Sequence, residues 1–428
     1  MVNGGDAVYL CLDDGGDRLS DLPDCLLHEI MSRKKAREVV QTCVLSRRWR
    51  HLWRSVPCLD VDQGEFKVGG GGGRETAIRA AWEKFEEFAV ILLRKVSIAL
   101  LDTFRLHITP ISFYGDPSAR IASGWIRREI KYGGIVPPRE GLSSAPWRLK
   151  ELHLSNVSPL DEVFAEHVRS GCPSLQHLEL RNCRCEFRAI NSDSLKNLVL
   201  RGCESEEFTE IASPTLKSLV IDDGCRIGSR CPLVISAPAV AYLSLVVAPY
   251  AFQGGVAVHE MASIAKASIT TRFLGEYECA KQLKGDLFKI LRSVCSATSL
   301  DLLAESDVTV SGEKSKMFPE FKNLRNLELD GCNLSSDLQV SGHVLRNSSN
   351  LEKLTMSPSC WKSSNDTKKK KGASRINKAE DLIMDDFRCE NLRLTEIIYR
   401  DDNVRQLVEL LLRISRNLPN NYIRFAKV

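Results

Sequence analysis

Hydrophobic positions along this chain change their period twice. Between residues 17 and 58 they recur three and four apart, which predicts short helices with one apolar face each. The first begins at Pro23, whose missing N–H would have no intrahelical partner there, and its stripe is Leu26, Leu27, Ile30 and Met31. A second carries Ala36, Val39, Val40 and Cys43; a third, for which Ser46 is the expected cap, carries Trp49, Leu52 and Trp53. Arg74 to Lys95 reads as a longer helix, because Ile78, Trp82, Phe85, Phe88 and Leu92 fall close to a helical period. From Leu101 onward the pattern shortens to strand-like runs.

Those runs share the pattern L-x-x-L-x-L. It recurs as Leu149-Leu152-Leu154, Leu175-Leu178-Leu180, Leu195-Leu198-Leu200, Leu216-Leu219-Ile221, Val240-Leu243-Leu245, Leu324-Leu327-Leu329 and Leu351-Leu354-Met356. Steps between starts are 26, 20, 21, 24, 84 and 27 residues. All but the fifth match a leucine-rich repeat of about 20–29 residues, and the long gap has room for about three degenerate units. Ile264-Ala267-Ile269 and Ala297-Leu300-Leu302 are expected to be two of them. Each unit makes sense as one turn of a solenoid, in which a short strand sends alternate side chains inward and a loop or helix closes the far side. A lone unit cannot bury its own leucines, so the array stands only when units stack.

Two breaks interrupt the pattern. Gly69 to Gly73 reads as a flexible linker, and Ser357 to Ser374, which holds Lys368 to Lys371, as a disordered lysine-rich insertion with nuclear import as a minor alternative. Val404, Leu407, Val408, Leu411 and Leu412 share one helical face and suit a terminal cap. The expected fold class is α/β: a tail over residues 1–16, a helical unit over 17–58, a linker and helical entry over 59–100, a solenoid over 101–356, the insertion over 357–374, and a terminal repeat with its cap over 375–428.

Composition narrows the function more than the fold. Lysine and arginine number 59 against 55 aspartates and glutamates, which is not the basic footprint of a dedicated nucleic-acid binder. The start of the chain has no signal-peptide pattern and no stretch is apolar enough to span a membrane, so a cytoplasmic or nuclear location is expected. Fifteen cysteines are then expected to be thiols. Cys183, Cys203 and Cys332 each follow the last apolar residue of a repeat by three positions, and Cys225 follows Ile221 by four. A small polar side chain there bonds the backbone where the strand turns away. The rival is a metal site using Cys183 and Cys185 with Cys172 or Cys203, but no pair shows zinc-ligand spacing, and no metal or other cofactor is expected. No G-x-S-x-G, H-E-x-x-H or G-x-x-x-x-G-K-[ST] pattern occurs, so binding is expected rather than catalysis.

A helical unit of some 40 residues is small for independent folding, and its wide apolar stripes call for a partner. Leu22-Pro23, Ile30, Val44-Leu45-Ser46-Arg47-Arg48-Trp49 and Trp53 resemble the F-box motif, and the strings D-R-L-S-D-L-P and V-L-S-R-R-W-R-H-L-W are similar to its plant version. The resemblance implies three helices that dock on a Skp-family adaptor, which binds a cullin, while the rest of the chain captures a target protein for ubiquitination. Carried over by position, Leu22, Pro23, Leu26, Leu27, Ile30, Val44 and Leu45 are expected at the adaptor or the core beside it, with Trp49 and Trp53 anchoring the third helix. Where the family has an apolar residue after the first helix, this chain has Ser32-Arg33-Lys34-Lys35, so a looser or charge-bearing turn is expected there. The repeats also resemble the degenerate leucine-rich repeats of plant F-box proteins.

Strand alternation turns Glu151 and His153 outward on the concave side, along with His177 and Glu179, Asn197, Tyr242 and Ser244, and Glu328. These are the expected target contacts, with Tyr242 as the anchor and His177 and Glu179 read as its neighbours. A non-degradative scaffold and a small-molecule-dependent receptor are the alternative functions. Arg33, Lys34, Lys35, Arg37, Arg47, Arg48, Arg50 and Arg54 read as a solvated or adaptor-steering face rather than a nucleic-acid site.

Overall fold

The computed structural model describes residues 19, 21–66, 74–97, 100–109, 148–222, 224–248, 251–259, 261–272, 277–304, 318–330, 340–357, 389–399 and 421–427. The glycine run, Lys368 to Lys371, the expected cap over 403–417 and Cys332 lie outside the described residues.

Helix α1 (Asp24–Ser32), helix α2 (Ala36–Gln41) and helix α3 (Trp49–Leu52) form the N-terminal unit, with 3-10 turns at Thr42–Val44 and Trp53–Ser55. The helix begins at Asp24, one place after the expected start, and Pro23 is its N-cap, where its carbonyl accepts from the Leu26 and Leu27 amides. Ser46 is not the cap of α3. Arg48 occupies that position, already with helical dihedrals of −66° and −43°, because the chain enters the helix from a turn rather than from an extended residue. The expected stripe of α1 also divides: Leu27 and Met31 are buried whereas Leu26 and Ile30 are exposed. Residues four apart share a line on a helix, and this short helix docks along only one of the two lines.

Immediately after α3, strand β1 (Cys58–Asp62) opens a sheet, so the expected linker over 59–100 contains the first repeat strand. The Ser32-Arg33-Lys34-Lys35 turn contributes charge to this junction. Lys35 Nζ lies 3.2 Å from an Asp60 oxygen and 3.0 Å from an Asp62 oxygen. Arg37 donates to the Glu65 carbonyl at 2.6 Å and stacks over Phe66 at 5.1 Å. Phe66 in turn packs on Phe85 and Phe88 of helix α4 (Arg74–Lys95), at ring distances of 5.4 and 5.2 Å.

Among the described residues the main sheet has 13 strands, all parallel, in the order β1, β2 (Thr103–His107), β3 (Glu151–Ser155), β5 (His177–Arg181), β8 (Asn197–Arg201), β11 (Ser218–Ile221), β14 (Tyr242–Val247), β16 (Lys266–Thr271), β17 (Ser299–Ala304), β18 (Asn326–Asp330), β19 (Lys353–Met356), β20 (Leu394–Tyr399) and β21 (Tyr422–Lys427). Each L-x-x-L-x-L lies in register with the next, so that Leu152, Leu178, Leu198, Leu219 and Leu243 make one buried row and Leu154, Leu180, Leu200, Ile221 and Leu245 another. The degenerate units at Ala267 and Leu300 continue the first row, and the 84-residue gap therefore holds two units rather than three. A helix at Tyr277–Ser293 takes up the remaining length.

On the far side, repeat length selects the closing element. Steps of 20 to 24 residues return through short strands, β7 (Ala189–Asn191), β10 (Glu210–Ala212), β13 (Leu233–Ser236) and β15 (Val256–Val258), which form a second parallel sheet. Two further ladders join β4 (Leu160–Asp161) to β6 (Cys185–Glu186) and β9 (Glu204–Ser205) to β12 (Arg226–Ile227). The 26-residue step after β3 instead holds a helix, Glu162–Glu166. Between the layers, Phe187 packs tilted against Phe164 and edge-on against Phe208, at ring distances of 6.1 and 5.4 Å.

At the strand exits the thiols act as expected. Cys183 Sγ donates to the Leu154 carbonyl at 3.6 Å, Cys203 Sγ to the Leu180 carbonyl at 3.3 Å and Cys225 Sγ to the Leu200 carbonyl at 3.5 Å. Each thiol thus ties its turn to the preceding repeat. Just before them, Asn182, Gly202 and Gly224 have positive φ, at 50°, 59° and 82°, as has Asn156, at 58°, at the strand exit of the preceding repeat. A Cβ on Gly202 would fall 2.3 Å from Asn182 Oδ1 in the stacked turn below.

Candidate functional site

Two surfaces carry the residues singled out by sequence. On the helical unit, Leu27, Trp49 and Trp53 point into the unit's own core with Met31, Ala36, Val39 and Leu52. They hold the helices together, and the Trp53 indole N–H donates to the Arg50 carbonyl at 3.1 Å. Leu19, Leu26, Ile30, Val44 and Leu45 point away, with 45, 48, 42, 83 and 57% of their surface exposed. Pro23 is exposed beside them and Leu22 packs partly on the core. Large aliphatic side chains this open, gathered on one small unit, are the mark of a surface that a partner covers.

Several basic residues nearby are engaged within the chain. Arg33 pairs with Glu29, Lys34 with Glu38, Lys35 with Asp60 and Asp62, and Arg48 with Asp24. Burial works to lower the Lys35 pKa, but hydrogen bonds to Asp62 and Asp60 outweigh it and the ammonium sits above its ordinary value. Such internal pairing leaves less free charge for phosphate contacts.

The outward face of the main sheet is the second surface. Glu151, His177, Asn197, Ser218 and Tyr242 form one row of register partners, and His153, Glu179, Val199, Val220 and Ser244 the next. Glu328 stands further along that second row, opposite Asp301 and Thr355. Tyr242 is not a neighbour of His177. Three strand spacings, roughly 14 Å, separate them. Between them lie Asn197 and Ser218 in one row and the uncharged Val199 and Val220 in the other.

Around β3 and β5 the face becomes ionic. His153 Nδ1 lies 2.8 Å from Glu179 Oε2, and the His153 and His177 rings are 4.8 Å apart. Arg181 donates to Glu179 Oε1 at 2.7 Å, and Arg201 stands 3.8 Å from the same oxygen. Thr103 donates to Glu151 Oε2 at 3.2 Å, with Arg105 at 3.6 Å. Burial pushes the His177 pKa down, and the neighbouring His153 pushes the same way against the pull of Glu179 and Glu151. Burial acts to raise Glu179, but hydrogen bonds from Arg181 and His153 prevail and hold it below the usual carboxylate range. Sequence alternation placed all four residues outward without showing that they form one cluster. The signal was the shared register of two repeats 26 residues apart, which puts Glu151 opposite His177 and His153 opposite Glu179.

Inside the array, Cys185, Cys203 and Cys225 line a cavity of about 10 Å³ with Phe187 and Phe208. That space suits one water-sized sphere and not a hormone-sized ligand. Burial pushes the Cys183 thiol up. Contact with Cys185, opposed by Cys225 and reinforced by burial, raises Cys203 to about 12, so these groups stay protonated. Among the described residues no helix is long and apolar enough to cross a membrane.

Comparisons with known proteins agree with the two-part division. The F-box domain model matches residues 19–60. A model for the leucine-rich repeats of FBD-associated F-box protein At5g56370 matches residues 137–268. MEIOTIC F-BOX protein MOF of Oryza sativa subsp. japonica is 31% identical, the match covering 79% of this chain and 71% of that protein. F-box/FBD/LRR-repeat protein At1g78750 of Arabidopsis thaliana is 28% identical over 73% of this chain and 71% of its own length. FBD-associated F-box protein At4g13985, also of Arabidopsis thaliana, is 53% identical over 54% of this chain and 52% of its own length.

Proposed function

The chain belongs to the plant F-box proteins that carry leucine-rich repeats, and from that membership we propose that it is the target-recognition subunit of a Skp–cullin ubiquitin ligase. The F-box docks on a Skp-family adaptor and through it on a cullin. The repeats hold a target protein against their outward face. The observation that carries this reading is the set of bare aliphatic side chains at Leu19, Leu26, Ile30, Val44 and Leu45 on a helical unit whose own core is already filled. Water-exposed leucine, isoleucine and valine surface of this kind gains about 25 cal/mol for each Å² a partner covers.

The chain itself performs no bond chemistry in this scheme. It acts by proximity, raising the effective concentration of target lysines near the transferring subunits, in the cytoplasm or nucleus. Leu22, Pro23, Leu26, Ile30, Val44 and Leu45 are the proposed adaptor contacts, with Leu27, Trp49 and Trp53 supporting them from beneath. Glu151, His153, His177, Glu179, Asn197, Tyr242, Ser244 and Glu328 are the proposed target contacts. Tyr242 serves as the anchor of the neutral stretch between β5 and β14.

The test is a pull-down of a Skp-family adaptor by the full chain and by a Leu22→Ala, Pro23→Ala variant, followed by mass spectrometry of proteins retained while degradation is blocked. Loss of the adaptor with retention of the same target proteins supports the division of labour. Equal adaptor recovery from both proteins refutes the contact assignment. Retained proteins that are bound but never ubiquitinated in a reconstituted ligase refute the recruiting role.

A further inference from the structure

We propose that the outward face at β3 and β5 is a binding site for a divalent transition metal of the zinc class, with His153, His177 and Glu179 as its protein ligands. Their donor atoms all lie within 4.8 Å of one another. The backbone fixes this closeness, since parallel pairing sets Glu151 opposite His177 and His153 opposite Glu179. Four outward positions on two adjacent strands thus carry two imidazoles and two carboxylates in alternation.

Zinc bound by imidazole and carboxylate at about 2.0–2.2 Å needs donor atoms about 3.3 Å apart. His153 Nδ1 and Glu179 Oε2 already stand at 2.8 Å. His177 completes the set by closing at most roughly 1.5 Å, within the reach of a χ rotation of one half-buried imidazole. The donor types select the ion. Two nitrogens exclude the all-oxygen preference of calcium and magnesium, and the absence of sulfur from the set distinguishes it from copper(I) sites.

The surroundings hold the ligands in place. Arg181 and Arg201 face Glu179 Oε1 and leave Oε2 turned to the imidazole, an arrangement that orients a carboxylate for one-point ligation. Glu151 Oε2 stands 3.8 Å from His153 Nε2, which sets a second carboxylate beside the imidazoles. An ion pair between His153 and Glu179 needs one imidazole, whereas a second imidazole stands beside them, its ring tilted at 39° with the centroids 4.8 Å apart. A metal uses both lone pairs. Its outward position opens over the sheet and is available to water or to a donor group on a docked protein.

The experiment uses the full chain purified with its adaptor and titrated with cobalt(II) as the spectroscopic probe. One equivalent should bind with the visible bands of tetrahedral nitrogen and oxygen coordination, without a near-ultraviolet sulfur-to-cobalt band, and zinc should displace it. His177→Ala and Glu179→Gln should each weaken binding about 10–100-fold. His177→Gln, which keeps the side-chain bulk, guards against loss of binding through misfolding, and circular dichroism of each metal-free variant checks the fold. Failure of the wild-type chain to take up cobalt overturns the proposal. So does a sulfur band, which would place the ion on the cysteines, or unchanged affinity in the folded variants.

Discussion

Truncating Val44 and Leu45 together to alanine should weaken adaptor binding about 100-fold. Val44 loses two methyl-sized groups and Leu45 three, and each group is worth about 0.8 kcal/mol when buried. Only the surface now open can be newly covered, so the Val44 share is scaled by 83% and the Leu45 share by 57%, giving roughly 2.7 kcal/mol. At about 1.4 kcal/mol for each tenfold change, that is close to two orders of magnitude in Kd. Neither side chain is part of the buried core, so the melting temperature of the isolated chain should stay within a degree or two. The assay is isothermal titration of purified Skp-family adaptor into wild-type and variant chain. A change below threefold, with the variant folded, would refute the assignment of this face to the adaptor. A large loss accompanied by unfolding would instead place these residues in the core.

Other outcomes follow from the repeats. Native protein should modify quickly at Cys25 and Cys231, which are exposed, and slowly at Cys183, Cys203 and Cys225, which are buried and bonded to carbonyls; mass mapping after a timed pulse of thiol reagent would show the order. Gly202→Ala should lower stability by about 1–2 kcal/mol from the left-handed backbone alone, with a further cost from crowding of Asn182, seen as a lower midpoint in urea. The Asp102 carboxyl is held below its ordinary value of 3.8 first by the Arg148 hydrogen bonds and then, against some burial, by Lys150. Its folded-state pKa is depressed, so its contribution is complete above the unfolded value and is lost as pH falls through the folded one. Asp102→Asn should therefore flatten the part of the acid-denaturation curve below about pH 4, and an unchanged acid limb would remove Asp102 from the account.

The sequence made the register of the repeats legible because a period-2 strand tolerates one substitution without shifting. Ala267 stands where its neighbours have leucine and still pairs in line with Leu243 and Leu300. The same tolerance hid β1, β2 and β20. Their inward residues are Leu59 and Val61, Phe104 and Leu106, and Thr395 and Ile397, too mixed to stand out in a search for leucines. Within the helical unit, periodicity marked Leu26, Leu27, Ile30 and Met31 as one stripe, but only packing against β1 and the 3-10 turn at Trp53–Ser55 decides that Leu27 and Met31 go inside. His153 and Glu179 are 26 residues apart, and nothing local to either of them announces a hydrogen bond that exists only once two repeats are stacked.

The clasp of Lys35 on Asp60 and Asp62 makes the sheet a ruler with its zero at the F-box. Every strand added beyond β1 moves its outward residues about 4.8 Å further from that zero. Glu179 stands three graduations out and Tyr242 six, roughly 14 and 29 Å measured along the sheet. A guest gripped at one mark or the other would present its lysines to the same fixed machinery from positions some three strand spacings apart. Under the proposed recruiting role, inserting or deleting one repeat between β1 and the contact strands would change which lysine is reached without altering a single contact residue.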